Sequence, residues 1–261
     1  MRMPDYVKTG DGPVTVYLLH GGYGAKDYWR YEIAALVAAG YRTIAWDAPG
    51  YGLSPLPAEY SIEAVGEAAI ALFDATCGER NVVIGHSMGG LIAPRVAAAR
   101  PQAVDAVVIS ASLASLGQGG SAFADDFMEM RVPPLRAASN VGEVAMPLLR
   151  SMFAPGAAGP AVDLVLEVAA QTPAQTFIEA MLAIARYDGE PIVRGLSQPV
   201  LCVAGGHDPV GRPALVEALS RMIACGEFTL FEDAGHYPFA ECQPAFDARL
   251  HAFLQDHGLG A

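Results

Sequence analysis

Cysteine, basic charge and long apolar runs are all scarce in this chain. The four cysteines, at 77, 202, 225 and 242, form no C-x-x-C pair and no histidine-bearing cluster at metal spacing. Neither a disulfide framework nor a metal site is indicated, and the thiols read as small free side chains. Sixteen Lys and Arg stand against 28 Asp and Glu, a net charge of −12. That balance argues against nucleic acid and anionic membrane surfaces as partners. No apolar run reaches the ~18 residues that a membrane span needs. The start, Met1-Arg2-Met3-Pro4-Asp5, has no apolar secretory core. A soluble, cytoplasmic protein without metal or organic cofactor is expected.

What the chain does have is enough apolar material for a full core. At 261 residues and 52% hydrophobic, one domain with an insertion fits better than two domains. Apolar β-rich runs alternate with amphipathic stretches of helix length, the pattern of a parallel sheet with crossover helices. Strands are expected at 14–19, 42–46, 81–84, 106–109, 199–204 and 227–231. Helices are expected at 33–39 before Gly40, from Ser61 to about Thr76, at 90–99 before Pro101, and from Pro244 to Gln255. Between Leu113 and Gly189 the strand pattern stops. Helix-like stretches at 122–130, 142–152, 161–171 and 174–187 fill that interval, separated by Gly and Pro. The expected fold is α/β: a doubly wound, mostly parallel sheet with its core at 1–112 and 190–261. A helical lid at 113–189 is inserted between two of its strands.

Chemistry enters with Gly85-His86-Ser87-Met88-Gly89, a G-x-S-x-G pattern between the strand at 81–84 and the next helix. A serine on a sharp strand-to-helix turn has an exposed hydroxyl, with the following backbone N–H groups aimed at its target. Only small residues tolerate the close backbone approach of such a turn. A plain small-residue turn could share this pattern, so the other strand ends decide. In parallel sheets ligands sit at the carboxyl ends of the strands. There lie His20-Gly21-Gly22-Tyr23-Gly24, then Gly205-Gly206-His207-Asp208, and finally Glu232-Asp233-Ala234-Gly235-His236.

Roles follow from what the chemistry needs. A serine hydroxyl requires a base, and His236 titrates in the right range to take and return a proton. The imidazolium so formed requires an orienting carboxylate, for which Asp208 is placed. An oxyanion requires backbone donors, with Gly22 and Met88 as candidates. His86 is expected to pack beside the turn, His20 to tie its own loop together and His207 to be a loop histidine. His251 and His257 fall on the exposed terminal helix. Asp47 lies in a turn-building Pro-Gly segment, and Asp233 is only three residues from His236. Tyr23, His86 and Tyr237 are the candidates for substrate contact.

With these motifs in this order, the chain resembles the α/β-hydrolases over essentially its whole length. Ser87, Asp208 and His236 match the family's nucleophile, acid and histidine, and His20-Gly21-Gly22 matches its oxyanion-loop segment. Asp47-Ala48-Pro49-Gly50-Tyr51-Gly52-Leu53-Ser54 matches a loop common in esterase-like and lactonase-like members. The resemblance implies that 113–189 is the lid. A serine nucleophile speaks against haloalkane dehalogenases and epoxide hydrolases, which use aspartate there. Carbon–carbon bond hydrolases tend to carry tryptophan where this chain has Tyr237. Proline iminopeptidase-like enzymes differ in both the nucleophile and the D-x-P-G-x-G segments.

The lid stretch carries Met128, Met130, Met146, Met152 and Met181 with Phe123, Phe127, Phe153 and Phe177, while Arg131, Arg136, Arg150 and Arg186 are dispersed. Flexible thioethers adapt to varied apolar shapes, although such residues also serve the lid's own packing. The expected activity is hydrolysis of a small, largely uncharged apolar or aromatic ester or lactone through an acyl-enzyme. Carbon–carbon hydrolysis or perhydrolysis by the same three residues is the alternative. A ligand-binding receptor with little turnover differs in class, and an intact set of three reactive groups argues against it.

Overall fold

A computed structural model describes residues 3–261; Met1 and Arg2, part of the segment read for a secretory signal, lie outside the described residues. Seven strands form one sheet: β1 (Tyr6–Thr9), β2 (Val14–Leu19), β3 (Arg42–Trp46), β4 (Arg80–His86), β5 (Ala106–Ser110), β6 (Val200–Gly205) and β7 (Gly226–Phe231). Their order is β1-β3-β2-β4-β5-β6-β7. Only β1 runs antiparallel to its neighbour, with Tyr6 opposite Trp46. The remaining pairs are parallel. Every residue of β2, β5 and β6 is buried, as expected of strands covered on both faces. β1 escapes sequence reading because Tyr6, Val7 and Lys8 are exposed, leaving an edge strand with no apolar run.

The first crossovers are α1 (Arg30–Ala38), α2 (Ile62–Thr76) and α3 (Met88–Ala99). Gly40, at φ +94°, stops the chain after α1. The side chain of Ser61 accepts the Ala64 N–H at 3.1 Å and starts α2. From β2 the chain steps to β3 on one side, then crosses back to β4 on the other. Right-handed crossovers therefore put α1 on one face of the sheet and α2 and α3 on the opposite face. This reversal opens a crevice at the carboxyl ends of β2 and β4.

Between β5 and β6 lie α4 (Ser121–Arg131), α5 (Val141–Val144), α6 (Met146–Arg150), α7 (Pro160–Ala170), α8 (Ala174–Arg186) and α9 (Glu190–Arg194). The stretch 142–152, expected as one helix, is broken at Ala145. Pro147 has no N–H to return to the Glu143 carbonyl, and its ring would crowd that carbonyl in a continuous helix. Helical structure also runs past the expected border at 189, to Arg194. The chain ends with α10 (Pro213–Met222), α11 (Pro238–Glu241) and α12 (Gln243–Asp256). Among the described residues no helix is long and apolar enough to cross a membrane.

Candidate active site

Ser87 is the hinge between β4 and α3, with φ 51° and ψ −116°. This region is sparsely populated by residues bearing a Cβ and persists only where the surroundings enforce it. The enforcement is visible in the flanking glycines. A Cβ on Gly85 would lie 2.1 Å from the Gly89 carbonyl oxygen, and one on Gly89 would lie 2.1 Å from that of Leu19. Backbone presses on backbone on both sides of the turn. The Ser87 N–H is anchored across the sheet on the Ser110 carbonyl at 2.9 Å.

Two further strand ends converge on the serine. His236 Nδ1 donates to Asp208 Oδ2 at 2.8 Å, and both side chains are almost wholly shielded from solvent. Asp208 Oδ1 accepts the Val210 N–H at 2.7 Å, which fixes the carboxylate plane. The His236 backbone N–H donates to the Met152 carbonyl at 2.7 Å, so the segment between β5 and β6 helps to hold the histidine. Glu241, which sequence reading passed over, clamps the same segments. Its carboxylate accepts the N–H groups of Gly235, Tyr237 and Ala154.

His86 and Tyr237, expected to contact substrate, are buried at 1% exposure and do not line the cavity beside Ser87. Tyr237 stacks on Phe153, centroids 4.7 Å apart. His86 is a strut: Nε2 donates to the His236 carbonyl at 2.8 Å, while Nδ1 accepts from the Tyr28 hydroxyl at 3.0 Å. That hydroxyl in turn accepts the Gly21 N–H at 2.8 Å. One chain of hydrogen bonds thus joins the loop after β2, the serine turn and the histidine segment. Burial, reinforced by charge at His236, holds His86 well below the ordinary imidazole range, which matches its neutral bonding pattern.

The other rivals fall where their local chemistry takes them. His20 donates from Nδ1 to the Gly21 carbonyl at 2.8 Å and accepts the Ala48 N–H on Nε2 at 2.9 Å. Burial pushes it down to about 4. Asp47 is fully buried but accepts from the Lys26 and Leu53 N–H groups and pairs with the Lys26 ammonium, so it builds its turn. Asp233 and His207 are exposed. Among the described residues no three His, Cys, Asp or Glu side chains cluster as a metal site.

A cavity of about 540 Å³, counting its open mouth, reaches both Ser87 and His236. Gly22, Tyr23 and Met88 line it, as do Phe127, Met152 and Met181 from the stretch between β5 and β6. Of the five methionines named there, Met152 and Met181 reach the cavity, while Met130 is half exposed. Arg131 also reaches it. The dispersed arginines of the sequence favour a largely uncharged substrate, but α4 brings this one to the cavity.

Comparison with known proteins agrees with this geometry. A model described as the alpha/beta hydrolase family matches residues 16–248. The chain is 28% identical over 263 residues to a pimeloyl-[acyl-carrier protein] methyl ester esterase of Neisseria meningitidis, covering 97% of this chain and 96% of that protein. Its fold is similar to that of a hydrolase from Pseudomonas aeruginosa, with TM-score 0.83 and 24% identity over 95% of this chain and 93% of that one. It is similar also to an esterase from Exiguobacterium antarcticum, with TM-score 0.84 and 19% identity over 96% and 94% of the two chains. The sheet order, the serine turn at the switch point and the family match over most of the length lead to one conclusion: the chain belongs to the alpha/beta hydrolase family.

Proposed function

We propose that the protein is a serine hydrolase that cleaves a carboxylic ester or lactone through an acyl-enzyme. The observation that carries this reading is the buried His236–Asp208 pair, 2.8 Å apart, whose histidine lines one cavity with Ser87. Because the Nδ1 proton rests on the carboxylate, Nε2 is the nitrogen with a lone pair for the serine proton. Ser87 Oγ attacks the carbonyl carbon as His236 takes its proton, and the carbonyl oxygen becomes an oxyanion. Met88, at the first position of α3, has an N–H with no intrahelical partner. The Gly21 N–H is engaged by Tyr28, which leaves the amide of Gly22 as the second donor. Collapse of the intermediate breaks the bond to the alcohol oxygen, and His236 returns the proton to it. Water, activated by the same histidine, then releases the acid and regenerates Ser87.

Helices α4 to α8 act as the lid, residues 113–189, over a core formed by the described residues up to 112 and by 190–261. Phe127, Met152, Met181 and Ile184 face the serine across the cavity and suit an apolar body on the substrate. Tyr23 contacts that body from the loop after β2. A methyl ester is the kind of bond named for the Neisseria relative, which supports ester chemistry over carbon–carbon cleavage.

Ser87→Ala tests the reading: turnover of short-chain p-nitrophenyl esters should fall by about three orders of magnitude or more with the fold intact by circular dichroism. A fluorophosphonate probe should label the native protein at Ser87 and leave the variant unlabelled. Near-native turnover by the variant ends the proposal.

A further inference from the structure

Arg131 ends α4 with its guanidinium in the cavity wall and only 4% of the residue exposed. Nη1 donates to the Phe127 carbonyl at 3.2 Å, and Nη2 faces the Met152 sulfur at 4.0 Å. The Phe127 ring lies 4.1 Å from the guanidinium carbon. Among the described residues Arg131 forms no salt bridge, and the Asp208 carboxylate attracts its charge only at longer range. A guanidinium offers five N–H donors, and here one carbonyl and a weak thioether are what they meet. Burying a cation without a carboxylate is costly, and an exposed position was open to it: Arg136, Arg150 and Arg186, from the same insertion, are all exposed.

A group with no hydrogen-bond partner shares the wall. Tyr23 is 5% exposed, and its hydroxyl has no hydrogen-bond partner. Arg131 and Tyr23 line the cavity that also holds Ser87 and His236. We infer that Arg131 and Tyr23 form an anion subsite beside the nucleophile, so that the preferred substrate is an ester or lactone bearing a free carboxylate. This rests on the acyl-enzyme reading of the site. A carboxylate matches the planar fork of the guanidinium with two parallel hydrogen bonds, and the Tyr23 hydroxyl can donate a third. Among the described residues Arg131 is the one Lys or Arg lining the cavity. It balances one negative charge, so a carboxylate suits the pocket better than a phosphate dianion. The net charge of −12 repels anions at long range, which leaves their recognition to this local cation.

The test compares monomethyl adipate with methyl hexanoate, an acid ester against a neutral one of matching chain, in the native enzyme and in Arg131→Gln, Arg131→Lys and Tyr23→Phe. The native enzyme should favour the acid ester in kcat/KM. Arg131→Gln should cut the acid-to-neutral ratio by about 10- to 100-fold, mainly through KM, the size expected for a charged hydrogen-bonding partner. Arg131→Lys should restore part of the ratio, and Tyr23→Phe should lower it by less. Adipate should raise the melting temperature of the native protein and not that of Arg131→Gln, a readout that needs no turnover. No preference for the acid ester, or equal losses on both esters in Arg131→Gln, overturns the subsite; equal losses would point to Arg131 acting through Asp208 instead. Preference for a phosphate-bearing ester over the acid ester overturns the choice of carboxylate. If neither ester turns over and Ser87 resists the fluorophosphonate, the hydrolase reading fails, and adipate binding still decides the subsite.

Discussion

His86 Nε2 donates a 2.8 Å hydrogen bond to the backbone carbonyl of His236, a residue 150 positions away in the chain. The neighbour of Ser87 therefore holds the segment that carries His236. Its other nitrogen reaches Tyr28, and through it the Gly21 N–H, so the same imidazole also steadies the loop of Gly22. A side chain that links all three segments acts by positioning.

His86→Leu should therefore fold while turning over esters more slowly. It leaves the Tyr28 hydroxyl and the His236 carbonyl short of partners, at about 1–3 kcal/mol each when buried. We expect kcat for p-nitrophenyl butyrate to drop about 10- to 100-fold with little change in KM, since Ser87, Asp208 and His236 are retained. Tyr28→Phe breaks the same chain one bond earlier and should act in the same direction. If His86→Leu has native kcat, the strut has no role in positioning His236.

Glu241 makes the corresponding contacts on the far side of His236. Three backbone N–H groups, from Ala154, Gly235 and Tyr237, converge on one carboxylate. Glu241→Ala should lower the melting temperature, by roughly 2–4 °C for each kcal/mol lost in a domain of this size, and lower kcat as well. Glu241→Gln keeps one acceptor oxygen and should recover part of both. Equal melting curves for the native protein and Glu241→Ala would show that the clamp contributes nothing.

Much of this architecture is legible in sequence, and the exceptions have physical causes. β2 and β3 match their expected ranges residue for residue because their β-branched and apolar residues end abruptly at the polar His20 and Asp47. Ser61 announces α2 through its capping side chain. β1 is exposed and short, and α10 was not expected, although Val216 and Leu219 form its buried stripe. At the site, Ser87, Asp208 and His236 stand out because each follows a strand, where ligands bind. Arg131, Tyr28 and Glu241 do not. Tyr28 and His86 are 58 residues apart, and Glu241 and Ala154 are 87 apart. No local pattern marks such pairings; only the fold creates them.

Acid and alkaline pH should bear on different buried groups. His20 is fully buried and held down at about 4, chiefly by desolvation, against about 6.5 in an unfolded chain. Between those values the unfolded chain binds a proton that the folded one refuses, so stability falls as pH falls through that window, by up to about 3 kcal/mol. His86 is shifted in the same direction. Glu32 behaves oppositely. Burial raises its carboxyl well above the usual range, and Oε1 has no hydrogen-bond partner. Its favourable contribution is complete below about 4.5 and is lost as pH rises toward its folded value. Glu32→Gln should therefore stabilise the protein in urea denaturation, with a gain that grows from pH 5 to pH 8. A gain that shrinks with pH would contradict this assignment.

The backbone at Ser87 stores strain that can be released without touching anything else in the site. At φ 51° and ψ −116°, a residue with a Cβ costs about 1–3 kcal/mol relative to a relaxed conformation. Glycine adopts such angles freely, though its looser unfolded chain offsets about 0.5–1 kcal/mol of the gain. Ser87→Gly and Ser87→Ala should both be inactive, yet the glycine variant should melt a few degrees higher in calorimetry. The alanine variant keeps the Cβ and hence the strain, which makes it the proper reference. Because the turn is held by backbone contacts at Gly85 and Gly89, neither variant should relax it. Identical melting temperatures would mean that the turn carries no strain at Ser87.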